Sequence, residues 1–283
     1  MRRATALLLF LLAWEGASRL GWISPLIAPP PTHIAAVLLE LMASPQTWAH
    51  FWTTVFEALG GLVTGVIVGG LLGLAAALLK PVADLLEPAM ALLNAVPRIV
   101  LAPLFVIWFG IGIASKIALS FLLVTVVIFF AVYSGIREVD PRLIDRVLTL
   151  GGDRMDLLRE VYLPSLAPWL LGGLKVATGF AFTGAVVGEF VASSRGLGYL
   201  LSFAQSTYNA SLTIALIVLV VAVVLGIFSG FERMERRIFR WKPAPRQKQA
   251  AGLRDLLARR RRHPATTEWG PRRADIRSPR QML

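Results

Sequence analysis

Ionisable side chains inside long apolar runs are the first candidates for chemistry, because a charge at membrane depth costs roughly 3 kcal/mol unless a partner or a wet route receives it. Three stand out: Arg98 beside Pro97, Lys175 about ten residues into an apolar stretch, and Glu189 near the end of that stretch. Pro97 and Pro103 free backbone carbonyls around Asn94 and Arg98. Asn94, Pro97, Arg98, Lys175 and Glu189 are therefore the candidate lining of a solute pathway, with the two cations suited to attracting an anion. Each charge also has a structural reading. Lys175 could snorkel or brace a carbonyl, Arg98 could anchor a wall, and Glu189 could cap or pair at the outer surface. Glu15 and Arg19 are four apart on one helix face, where an ion pair suffices. Covalent and metal chemistry find no footing. The chain has no cysteine, and His33, His50 and His263 are far apart. Glu15, Arg98, Lys175 and Glu189 form no recognisable catalytic set, and no phosphate-cradling G-x-x-x-x-G-K-[ST] occurs.

The elements that must position these residues are apolar helices. Hydrophobic residues make up 56% of the 283 and charged residues 16%, against roughly 45–50% and about 25% in soluble domains. Of the 29 basic residues, 16 lie after Phe231, so the body is nearly neutral and the end is a basic tail. A helical crossing needs about 20 mostly apolar residues. Six segments qualify: Thr5 to Leu20, Glu57 to Leu79, Glu87 to Phe109, Lys116 to Gly135, Ser165 to Phe190 and Leu212 to Phe231. The first, preceded by Arg2 and Arg3, could also be a cleaved signal peptide. Basic residues stay on the cytoplasmic side. Ser24 to Phe56 and Gly110 to Ser115 carry none and Val191 to Ser211 only Arg195, while Arg2, Arg3, Lys80, five arginines between Arg137 and Arg159 and the tail fall on the other side. The expectation is an all-α polytopic protein with six transmembrane helices and both termini cytoplasmic. Gly61, Gly65, Gly69 and Gly73 form one smooth stripe for close helix packing, within the bundle or between subunits. Trp22, Trp48 and Trp52 suit interfacial anchors.

The connection from Ile136 to Pro164 is too long for a turn and reads as two short helices. Asp140 can cap the first with Pro141 at its first position, and Gly151-Gly152 can stop it. Asp153 with Asp156 starts the second, and Leu163-Pro164 ends it at the membrane. A cytoplasmic helix pair with one apolar side is shaped to dock on a partner or to fold back on its own bundle.

Leu148-Thr149-Leu150-Gly151-Gly152 followed by Val161-Tyr162-Leu163-Pro164 resembles the signature loop of binding-protein-dependent ABC importer permeases: E-A-A, three residues, Gly, nine residues, an aliphatic, one residue, Leu-Pro. The acidic position falls on Asp145, while Arg146 and Val147 replace the two alanines. Asn94-Ala95-Val96-Pro97, Leu101-Ala102-Pro103, Ile107 to Gly112, Gly188-Glu189-Phe190 and Gly196 to Leu200 are similar to the nitrate, sulfonate and taurine branch. The resemblance implies the type I ABC importer permease architecture. With the spans and charges read above, the chain is expected to divide into a first transmembrane helix (1–22), a periplasmic segment (23–56), a five-helix core (57–241) with a coupling loop (136–164), and a basic cytoplasmic tail (242–283), which extends past the resemblance and which composition marks as disordered.

The resemblance further implies a pathway in the cell (inner) membrane formed by two copies of the permease, as a homodimer, or by two similar permeases. A periplasmic or lipoprotein substrate-binding protein would deliver a small anion such as nitrate, an aliphatic sulfonate or taurine. Separate cytoplasmic ABC ATPase subunits would bind the ATP, so this chain would need no cofactor of its own and be no enzyme. Asp145, Gly151, Val161, Leu163 and Pro164 would couple the permease to that ATPase. The tail is expected to meet anionic lipid rather than nucleic acid. The alternatives are an ATP-independent secondary transporter or channel, which leaves the Ile136 to Pro164 helix pair without a purpose, and a membrane enzyme, which lacks its residues.

Overall fold

In the computed structural model, residues 2–24 and 26–238 are described, and they are helical with no strand among them. The expectations for the basic tail over 242–283 lie outside the described residues. The chain divides into two units, Met1–Glu235 and Arg236–Leu283, and of the second only the end of a helix, to Ile238, is described.

Helix α1 (Arg2–Arg19) is followed by a short α2 (Pro31–Ala43). The two are clasped by polar contacts. Glu15 accepts hydrogen bonds from the Thr32 backbone N–H (3.0 Å) and hydroxyl (2.7 Å) as well as from Arg19 (2.5 Å), so the expected ion pair also serves the first turn of α2. Helix α3 (Pro45–Leu78) runs 34 residues. It starts twelve residues before the predicted span, because Pro45 occupies its first position after Ser44 and is compatible with the helical φ. The segment expected as a periplasmic connection, 23–56, therefore contains α2 and the first three turns of α3.

Only Leu79 separates α3 from α4 (Lys80–Ala95). The predicted third span is bent rather than straight. After Ala95 the chain turns at Val96-Pro97, passes through a 3-10 turn (Arg98–Leu101) and enters α5 (Ala102–Phe109), the two arms meeting at 89°. Pro97 cannot donate to the ladder and disfavours helix at Val96, and Pro103 begins the next helix where no donor is needed. Among the described residues, four helices can cross a membrane by length and composition, or five if the bent pair is one span. The first expected span, α1, is not among them and carries Arg2, Arg3, Glu15 and Arg19 within 18 residues.

Helix α6 (Ile113–Arg137) is the core, lying between α3 and α9 (Leu163–Val191). Its neighbours approach through small residues. A methyl placed at Gly61 would stand 2.8 Å from the Phe121 nitrogen, at Gly69 2.6 Å from the Thr125 carbonyl oxygen and at Gly73 2.7 Å from that of Phe129. Gly184 of α9 meets the Ser120 backbone on the other side. The glycine stripe is thus spent on packing inside the bundle, between α3 and α6. Ala58, Val124, Ile128, Ala177, Ala181 and Phe182 fill the centre.

Between α6 and α9 stand α7 (Pro141–Thr149), a single turn α8 (Arg154–Asp156) and a π-helical segment (Leu157–Tyr162). The second helix of the connection does not end at Leu163-Pro164 as predicted. It continues as one 38-residue helix from Arg154 to Val191. The widened π turn sits where the Pro164 and Pro168 rings would crowd the preceding carbonyls, and it absorbs the distortion without a break. Helices α10 (Leu197–Ser206) and α11 (Ala210–Ile238) complete the chain.

Candidate functional site

The loop between α6 and α9 is ordered by its own sequence. The Asp140 carboxylate accepts from the Arg142 N–H at 2.9 Å, capping α7, and Pro141 follows at the first position. Such a cap contributes about 1 kcal/mol. At the other end the Gly152 N–H reaches the Val147 carbonyl (2.9 Å) and the Gly151 N–H that of Leu148 (3.0 Å), with Gly151 at φ +82°. This is a Schellman stop, and it needs a residue free to adopt the left-handed region. Gly152 is constrained differently: a methyl there would lie 3.0 Å from the Val147 carbonyl oxygen. Asp153 and Asp156 then form a reciprocal capping box, each side chain accepting from the other's backbone N–H at 2.9–3.0 Å.

What this scaffold displays is unusual for a helix of a folded body: α7 has no buried residue. Leu143, Leu148 and Leu150 are exposed, Leu150 by 79%. Asp145 and Gly151 are exposed, as are Leu163 and Pro164. Val161 is buried, and Tyr162 packs on the core, so these two root the loop in the bundle. Leu143, Leu148 and Leu150 are therefore not folded back onto the bundle, whereas Ile144 and Val147 are half-buried.

The five candidate pathway residues do not converge. Asn94 lies in the last turn of α4, Pro97 caps the 3-10 turn and Arg98 opens it, so three of them mark the 89° bend. Lys175 is half-buried midway along α9. Glu189 sits fourteen residues further, about 21 Å away on a straight helix.

Glu189 belongs to a buried polar node at the end of the bundle that the charge count places outside. It is 1% exposed and accepts from the Thr54 hydroxyl and the Gly198 N–H, both at 2.7 Å. The Leu197 N–H donates to Thr54 Oγ1 (2.9 Å) and the Gly196 N–H to His50 Nδ1 (2.9 Å). The first N–H groups of α10, which no helix can satisfy internally, are thus held by three side chains from α3 and α9. Gly196, at φ +106°, leaves no room for a side chain against the Glu189 carboxyl. Lys116 of α6 is fully buried, and its ammonium donates to the carbonyls of Ile111, Gly112 (3.1 Å) and Ala192 (2.6 Å), the last being the residue that follows α9. Glu57 of α3 is buried in the same node, and its Oε2 has no hydrogen-bond partner among the described residues. The node ties α3, α6, α9 and α10 together. Of its members only Glu189 stands out in the sequence. Glu57 and Lys116 look like span boundaries, and the available signal was that they are opposite charges at the same end of two apolar runs.

The region from residue 61 to 240 matches the family described as binding-protein-dependent transport system inner membrane component. The chain is 33% identical over 242 residues to the riboflavin transport system permease protein RibX of Chloroflexus aurantiacus, covering 83% of this chain and 88% of that protein. It is 30% identical over 241 residues to the taurine transport system permease protein TauC of Escherichia coli K12, covering 83% and 87%. In structure it is similar to a chain of the inward-facing MetNI methionine ABC transporter, with a TM-score of 0.59 at 21% identity, covering 69% of this chain and 98% of that one.

Proposed function

Since the chain belongs to the binding-protein-dependent transport system inner membrane components, we propose that it forms the translocation pathway of an ABC importer for a small organic or inorganic anion, with an aliphatic sulfonate, taurine or nitrate as the substrate class. Membership makes it an inner-membrane permease that works with a binding protein and an ATPase. The anion rests on Arg98 at the bend and Lys175 on α9, two cations set in apolar runs of the sequence, and on the likeness to a taurine permease.

One observation carries the coupling reading: a doubly capped helix, α7, with no buried residue and exposed leucines. An ordered apolar face without an internal partner is what a docking element requires. In this reading Asp145, Leu163 and Pro164 contact the ATPase, Gly151 sets the angle of α7, and Val161 anchors the loop. ATP is held by the partner, so the chain needs no cofactor and is itself no enzyme. Two copies enclose the pathway, and the basic tail lies on anionic lipid. A secondary transporter would have no use for α7.

The test is purification from the native host in mild detergent, with and without Gly151→Val. A β-branched residue is strained at φ +82°. A stoichiometric ATPase with the natural chain and its loss with the variant supports the reading. An ATPase that stays with both refutes the assigned loop.

A further inference from the structure

Near the start of the α7 loop, a three-residue chain joins two helices that packing alone would leave free to slide. The Tyr133 hydroxyl donates to Glu87 Oε2 at 2.7 Å, and Arg137 donates to the same hydroxyl oxygen at 2.6 Å. The Arg137 guanidinium also lies 5.3 Å from the centre of the Tyr133 ring and 4.0 Å from the Glu87 carboxylate. Tyr133 is 5% exposed, whereas the Glu87 and Arg137 side chains are exposed, by 52% and 61%.

The position of these residues gives the contact its meaning. Arg137 is the last residue of α6, three before the Asp140 cap of α7. Glu87 is on α4, nine residues before the Val96-Pro97 turn where the chain bends by 89°. Along the same seam Met90, Leu86 and Leu93 cluster with Phe129 and Phe130. Apolar contact is non-directional, so it sets the spacing of two helices but not their register. A hydrogen bond to a carboxylate is directional and strong, and the second donor on the hydroxyl holds the phenol in place.

We propose that the Tyr133–Glu87 hydrogen bond, oriented by Arg137, is the positioning contact that passes movement of the α7 loop to the bent α4–α5 segment. The proposal rests on the reading of α7 as the ATPase-docking element and extends it to a route into the pathway wall. Tyr133, Glu87 and Arg137 act through α4; none of them touches solute or nucleotide.

The absence of natural cysteines allows a direct test in the complex with its ATPase. Ile67→Cys on α3 and Leu92→Cys on α4 place spin labels on exposed faces, and labelled chain is diluted with unlabelled chain. The distance is read without nucleotide and with a non-hydrolysed ATP analogue. The expected result is a nucleotide-dependent shift that is lost in Tyr133→Phe and Glu87→Ala and kept in Glu87→Gln, whose amide oxygen still accepts. A shift that survives Tyr133→Phe or Glu87→Ala, no shift in the parent, or loss in Glu87→Gln as complete as in Glu87→Ala overturns the proposal. Should Tyr133→Phe fail to accumulate, the two Glu87 variants decide alone. Retention of the ATPase by Gly151→Val would instead refute the docking reading, so the two failures are distinguishable.

Discussion

Glu189 shows how much one side chain can hold: it receives the Thr54 hydroxyl and the Gly198 N–H while lying beside Lys116 and Glu57 in a buried node. Glu189→Ala would orphan both donors and leave the Lys116 charge less compensated, for a loss of roughly 3 kcal/mol. A lower unfolding midpoint in detergent is the expected result, with Glu189→Gln closer to the natural chain because its amide oxygen still accepts. An Ala variant as stable as the parent would remove the node from the account of the fold. The sequence marks Glu189 as an ionisable group in an apolar run, but its partner Thr54 comes from α3, 135 residues away. Local pattern carries no information on such distances. Asp140, Gly151 and Asp153 are legible for the opposite reason, since each acts on backbone within five residues of itself.

Among the helices, the α3–α6 seam separates two glycine roles on one element. At Gly65 a methyl would lie 2.7 Å from Val124 Cβ and 3.0 Å from the Phe121 carbonyl oxygen, whereas at Gly70 it meets nothing within 4 Å. Gly65→Leu is expected to cost about 3 kcal/mol or to prevent accumulation, and Gly70→Ala to be neutral or to stabilise by up to about 1 kcal/mol through helix propensity. Expression level and thermal midpoint in parallel check both; equal behaviour would refute the seam. The four-residue glycine spacing predicts a close approach but not its partner, and the structure supplies it. The bend at Val96-Pro97 was legible as an interruption, though not as an 89° turn, because proline fixes its own φ and leaves the following angles to packing. The run through Pro164 and Pro168 had no visible signal: a π turn is a property of the ladder rather than of any residue type.

At the scale of the whole molecule, the division of labour makes a sharp expectation. With no phosphate-cradling motif in its 283 residues, the chain should take no label from a photoreactive ATP analogue that labels the co-purified ATPase. Labelling of this chain at comparable yield would end the reading of a permease that leaves nucleotide to its partner. Composition and charge placement sufficed for an apolar helical body, whereas the number of crossings did not follow, because α1 carries four charges and the third run is bent.

The uninterrupted helix from Arg154 to Val191 has one more consequence. At 1.5 Å per residue its 38 residues extend roughly 57 Å, nearly twice the thickness of a hydrocarbon core of about 30 Å. One end carries the exposed loop and the other the Glu189 node. Such a rod pivoting near its middle behaves as a see-saw: a tilt of ~10° carries each tip about 5 Å, in opposite directions. Opening on one face and closing on the other would then be two ends of a single tilt, with the Tyr133–Glu87 contact carrying the same movement sideways to α4.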